Sequence, residues 1–160
     1  MTLFDRKFSL GERRLLLASL LGAVFGLILS WAALQTLSWR VDVDQSEWTR
    51  QESWLVLTGT AVVGGLVLFM RKHFGHSGAF GVVRTLVAGL WILFLAGVIT
   101  GTLNMPLWGT TFGVIIIAGT LVKSPLLAAL SLGVLALVHW LCSPWQDERN
   151  SALGYSETEH

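Results

Sequence analysis

The apolar run from residue 107 to 142 limits the possible folds more than any other stretch, because it is too long to cross a bilayer once. As one straight helix its 36 residues would be about 54 Å long, against a hydrocarbon core of ~30 Å. The run is broken once, at Lys123-Ser124-Pro125. Pro125 suits the first turn of a new helix and Ser124 suits its cap, so we expect the chain to reverse direction there.

Hydropathy along the whole chain predicts an all-α polytopic membrane bundle of one domain. Hydrophobic residues make up 53% of the sequence and charged residues 13%, about half the share of charge usual in soluble proteins. Five apolar segments are candidate spans. A polar outer loop at 38–53 separates the first from the second, and a polar tail at 143–160 follows the fifth. The spans are 15–37, 54–70, 85–103, 107–122 and 126–142.

Two sequence signals predict that the N-terminus is cytoplasmic and the C-terminus outside. With five spans, eight Lys and Arg residues fall on the cytoplasmic side and three on the outer side, as the positive-inside rule requires. Six of the eight tryptophans fall at the outer interface. A single kinked helix over 107–142 would move the tail and its tryptophans inside, so we set it aside.

Two alternatives stay open at this point. The run 107–142 forms either two full spans or a re-entrant hairpin, which would place the Lys123 ammonium deep in the membrane. The first apolar segment is either an uncleaved anchor or a signal peptide, because Ser30-Trp31-Ala32 resembles a small-x-small cleavage site. Its length favours the uncleaved anchor.

Small residues recur every four positions along the first span, at Ala18, Gly22, Gly26 and Ser30. Such a strip lets helix backbones approach closely. We expect it to serve helix packing within the chain or, alternatively, docking onto another subunit.

Residues suited to catalysis or metal binding are scarce. The five predicted spans contain no Asp, Glu, Lys or Arg, and the chain has one cysteine, Cys142. The four histidines are not arranged to face one another across helices. We therefore expect no catalytic residue, no cofactor and no metal site. A net charge of +1 gives no reason to expect a nucleic acid partner.

Uncharged polar residues cluster by depth rather than by spacing, in the outer third of the predicted spans. They serve either helix packing or a pocket open to the outer leaflet for a lipid, quinone or porphyrin-like amphiphile. The candidate ligand-binding residues are Thr100, Thr102, Asn104, Trp108, Thr110 and His139.

These observations favour a non-catalytic accessory or assembly subunit of a larger membrane complex, in a bacterial cytoplasmic membrane. Its expected partners are membrane lipids and other membrane subunits or a second copy of the chain. The alternative is a small-molecule binding or transport protein that uses the polar cluster.

Overall fold

The computed structural model describes residues 8–38 and 45–153, and its side-chain detail omits residues 37, 38 and 45–51. The described residues are helical throughout apart from short turns, which confirms the all-α prediction. The elements in chain order are α1 (Leu10–Ser38), α2 (Gln45–Phe69), a 3-10 helix (Arg71–His73), α3 (Gly78–Asn104), α4 (Gly109–Lys123) and α5 (Pro125–Ala152).

Four of these helices, α1, α2, α3 and α5, contain apolar stretches long enough to cross a membrane. Helix α4 is apolar as well, but its 15 residues reach only about 22 Å. Many large apolar side chains on the helices are exposed, including Leu90, Leu126 and Trp140. Such surfaces suit lipid, so the predicted membrane helix bundle is confirmed, with four long apolar helices and one shorter one.

The helix starts follow recognisable capping chemistry. Ser9 and Glu12 form a reciprocal capping box at the start of α1, with the Glu12 N–H 3.1 Å from Ser9 Oγ and the Ser9 N–H 3.0 Å from Glu12 Oε2. Ser124 caps α5 by accepting from the Leu127 N–H, and Pro125 takes the first helical position. The predicted break at these two residues is therefore confirmed.

The helices extend further than the hydropathy boundaries in two places. Helix α2 begins at Gln45, so much of the predicted loop 38–53 is helical, while residues 39–44 lie outside the described part. Helix α5 continues through Pro144 to Ala152 instead of ending at Cys142. Gln146 explains this continuation, because its buried side chain donates to the Phe74 carbonyl at 3.0 Å and holds the last turns against the bundle.

Polar contacts fasten the start of α1 to the end of α5. Ser9 Oγ donates to Glu148 Oε2 at 2.7 Å, and the Gly11 N–H donates to Glu148 Oε1 at 2.8 Å. The Arg71 guanidinium lies 5.4 Å from the Trp145 ring centroid, so the 3-10 helix that follows α2 also contacts the end of α5. We call this the basal end, and the opposite end, where α1 and α3 finish, the distal end.

Helix α4 lies across the distal part of the bundle and does not traverse it. Gly109 at its start contacts the backbone of Gly101 near the end of α3. Thr120 near its finish lies 3.2 Å from Thr36 near the end of α1, measured between hydroxyl oxygens. The reversal at Ser124 is therefore on the distal side, and α5 runs from there to the basal end.

This path brings the start of α1 and the end of α5 to the same end of the bundle, while the predicted N-in/C-out sidedness stays a prediction. Because α4 is short and oblique, α5 begins at the distal end and finishes beside the start of α1. The re-entrant hairpin does not describe this path, since α5 reaches the basal end. Span counting, in contrast, treats 107–122 as a full crossing.

The main core sits in the basal half and the middle of the bundle. Phe74 and Cys142 are fully buried there. The other buried members are Leu15, Ala18, Val63, Leu66, Val67, Ala88, Ile92, Ala96 and Val138. Above this core, towards the distal end, the packing is less complete.

Candidate functional site

A cavity of about 540 Å³ lies in the distal half, between α1, α2, α3 and α4. Its floor reaches Val63 and Ala96, and its rim includes Asn104 and Trp108. The lining residues are Gly26, Leu29, Ser30, Ala33, Leu34, Glu52, Leu55, Gly59, Val63, Ala96, Gly97, Thr100, Gly101, Asn104, Met105, Trp108, Gly109, Phe112, Gly113, Ile116 and Ile117.

The cavity forms because two helix pairs pack backbone to backbone on either side of it. Gly101 and Gly109 bring α3 against α4, where a Cβ on either residue would overlap the other's carbonyl group. Gly26 does the same between α1 and α2, since its Cβ would lie 2.7 Å from the Gly59 carbonyl oxygen. Glycines at these contacts leave no side chains to fill the space between the pairs.

Three of the six predicted ligand-binding residues, Thr100, Asn104 and Trp108, line this cavity. Thr102 and Thr110 pair with each other beside it, with their hydroxyl oxygens 2.9 Å apart. Five of the six residues that were predicted from their similar depth therefore lie in or beside this cavity.

Asn104 is held in place at the rim. Its Nδ2 donates to Thr58 Oγ1 at 3.1 Å and to the Thr100 carbonyl at 2.8 Å, so both amide protons have partners. Its Oδ1 is thereby oriented as the remaining polar atom of the side chain.

The Thr100 hydroxyl is the unusual group of the cavity. Its Oγ1 is buried and has no hydrogen-bond partner among the described residues. A buried polar atom without a partner is costly, and such atoms in folded proteins commonly meet water or a ligand. Thr100 is a lining residue of the cavity, while its hydroxyl oxygen itself is buried.

His139, the sixth predicted residue, lies at the basal end and does not belong to this site. Its Nδ1 accepts from the Gly75 N–H at 3.1 Å. Because a backbone N–H can only donate, the Thr85 hydroxyl, 2.6 Å from the same Nδ1, donates as well. His139 therefore ties α5 to α3 and to the connection before it, and its predicted place in the cluster followed from the five-crossing path.

His73 lies at the basal end, in the connection between α2 and α3 and outside the candidate spans, and its pKa is shifted. Partial burial, together with the positive charges of Arg84 and Lys72 and the nearby His76, lowers the pKa of His73 below its usual value. The Arg84 Nε–H donates to His73 Nδ1 at 3.2 Å, a contact that only the neutral ring can accept.

The small-residue strip of α1 packs inside the chain. Ala18 is fully buried, and a Cβ on Gly22 would lie 2.7 Å from Val67 of α2. Ser30 faces Gly59 of α2. The strip thus forms the α1–α2 interface, and Gly26 and Ser30 also line the cavity.

Sequence reasoning missed Glu52 as a lining residue, because it lay in the predicted outer loop. Its position as the last acidic residue before the second apolar segment is a signal that could have placed it at the rim. The described lining residues combine one carboxyl group, hydroxyl and amide groups and apolar side chains. No metal-binding cluster of His, Cys, Asp or Glu occurs in the described part of the chain.

Comparison with known proteins gives no match to a family model, a curated protein or a solved structure.

Proposed function

We propose that this membrane protein binds a small amphiphilic molecule in the distal cavity. The observation that carries the proposal is a cavity of about 540 Å³ with mainly apolar lining residues and a few polar ones, among them Glu52 and Asn104. Binding sites for small molecules typically measure roughly 300–1,000 Å³ and combine apolar walls with a few polar groups. An apolar floor below a polar rim suits a molecule with a polar head and an apolar body.

The test is to fill the cavity and look for loss of the bound molecule. Ala33 is buried and lines the cavity, so Ala33→Phe places a ring in the space. Ile116→Trp, from α4, fills it from another wall. Gly119→Phe is the matched control, because a Cβ there meets nothing within 4 Å.

Each variant is purified from its native membrane in mild detergent, and small molecules that accompany it are identified by mass spectrometry. We expect an amphiphile in the wild type and in Gly119→Phe, and its loss from Ala33→Phe and Ile116→Trp. Folded wild-type protein without a bound molecule, or equal retention in all variants, contradicts the proposal.

An accessory role in a larger membrane complex is the second candidate. It is supported by the exposure of α5. Only 11% of the most apolar stretch of this helix is buried in the bundle, against 28–33% for the corresponding stretches of the other long helices. A helix with so little internal packing suits contact with another membrane subunit. Copurification of a stoichiometric partner at native expression supports this role, and isolation of a chain without partners contradicts it.

The charge distribution supports a basal end that faces the cytoplasm. Six of the seven Lys and Arg residues with described side chains belong to the basal end, and Lys123 follows the distal contact of α4. The positive-inside rule favours the more basic side as cytoplasmic, which here gives both ends of the chain the same sidedness. Reporter fusions at residues 1 and 160 that report opposite sides contradict this orientation.

A further inference from the structure

Two lining residues of the distal cavity offer acceptors, Asn104 and Glu52, beside the indole N–H of Trp108 and the hydroxyls of Ser30 and Thr100. The Asn104 amide donates both of its protons, to Thr58 Oγ1 and to the Thr100 carbonyl, so its Oδ1 is left as an acceptor. Glu52 presents a carboxylate, which accepts and does not donate. A ligand that satisfies these two acceptors must bring donors.

The charge of the lining has one sign. Glu52 is the one ionisable residue among the described lining residues, and no Lys, Arg or His accompanies it there. Trp108 adds an indole at the same rim. A carboxylate with an aromatic face attracts ammonium groups, while it disfavours carboxylate, sulfate and phosphate heads.

We propose that the ligand of the distal cavity is an organic cation, with an ammonium head at Glu52, Asn104 and Trp108 and an apolar body on the floor below. This inference rests on the proposed binding function and adds the chemical class of the ligand. Small residues near the floor, Gly26 and Ala96, leave room for an aliphatic or aromatic body.

The test compares three probes that share one apolar skeleton and differ in the head group: phenylbutylamine, phenylbutanol and phenylbutyrate. Their affinities are measured by isothermal titration calorimetry at neutral pH on the full chain in phosphatidylcholine nanodiscs, with empty nanodiscs subtracted. We expect the amine to bind at least about tenfold more tightly than the alcohol, and the carboxylate to bind most weakly.

Glu52→Gln removes the charge and keeps the shape, so it should weaken amine binding about tenfold and leave alcohol binding within about twofold. Asp147→Asn is the matched control, since Asp147 is an exposed acid at the basal end. Glu52→Asp keeps the charge and should retain the preference for the amine, which covers the case in which Glu52→Gln folds poorly.

The outcomes separate the two proposals. If no probe binds, or if Ala33→Phe leaves binding unchanged, the cavity is not a binding site and both proposals fail. If the probes bind in the cavity with equal affinity, or if the carboxylate binds best, the binding function stands and the assignment to organic cations is overturned. Equal loss in Glu52→Gln and Asp147→Asn also overturns the assignment.

Discussion

The two ends of the bundle differ in the contacts that hold their helices together. At the basal end, side-chain hydrogen bonds connect the elements: Glu148 joins α5 to α1, and His139 joins α5 to Gly75 and Thr85, although Gln146 Oε1 is buried there without a partner among the described residues. At the distal end, glycines bring helix backbones together in pairs and leave a cavity with an unpaired hydroxyl between them. Side-chain hydrogen bonds thus close the basal end, while backbone contacts between glycines leave a cavity at the distal end.

The closed end is most easily broken at Gly75. Its φ is +79°, and a Cβ there would lie 2.7 Å from the Cys142 carbonyl carbon. Gly75→Ala should therefore lower the free energy of unfolding by about 3–4 kcal/mol, or prevent folding. Unfolding in detergent mixtures, followed by circular dichroism, measures the loss.

Gly78→Ala is the matched control for that prediction. Its φ of +78° is almost the same, but a Cβ there meets nothing within 4 Å. The cost should be only the backbone strain, about 1–2 kcal/mol. Equal losses for the two variants would show that contact with α5 does not hold the basal end together.

The contrast between the ends also predicts opposite signs for one substitution type. Thr100→Val removes the unpaired distal hydroxyl and should raise the free energy of unfolding of the ligand-free protein by about 1 kcal/mol. Thr85→Val removes a hydroxyl that donates to His139 and should lower it by about 1 kcal/mol. The same unfolding assay compares them, and destabilisation by Thr100→Val would mean that this hydroxyl already has a partner.

The smallest effect concerns pH at the basal end. Because the pKa of His73 is lower in the folded protein than in the unfolded chain, the unfolded chain binds more protons between the two values. Stability should therefore fall as pH drops below about 6.5 and level off above it. Protonation also ends the hydrogen bond from Arg84 and places two cations together.

His73→Gln keeps an acceptor for Arg84 and cannot titrate, so its thermal midpoint should depend less on pH between about 5.5 and 7.5. The midpoint is measured across this range for both proteins by scanning fluorimetry. An unchanged pH slope in the variant would assign the effect to another group.

Much of the candidate site was predictable from residue type and depth. Thr100, Thr102, Asn104, Trp108 and Thr110 were predicted together because polar residues near the same ends of neighbouring spans lie at similar depth. That reasoning needed only the direction of α3 and the start of α4, and both are correct in the structure.

The same reasoning failed for His139, because its depth depends on the direction of α5. An apolar segment of 16 residues can cross a thin core or lie obliquely on one side, and hydropathy is the same in both cases. The choice is made by packing, since Gly101 and Gly109 bring α4 across the distal end and Thr120 meets Thr36 there.

The existence of the apolar helices and the break before α5 could be read from the sequence, because hydropathy, the Pro125 ring and the hydroxyls of Ser9 and Ser124 act on neighbouring residues. The return of α5 to the start of α1 and the cavity above the core could not be read from it. Both depend on contacts between residues distant in the chain, whose close approach is possible only where glycine leaves room and where a partner such as Glu148 is already in place.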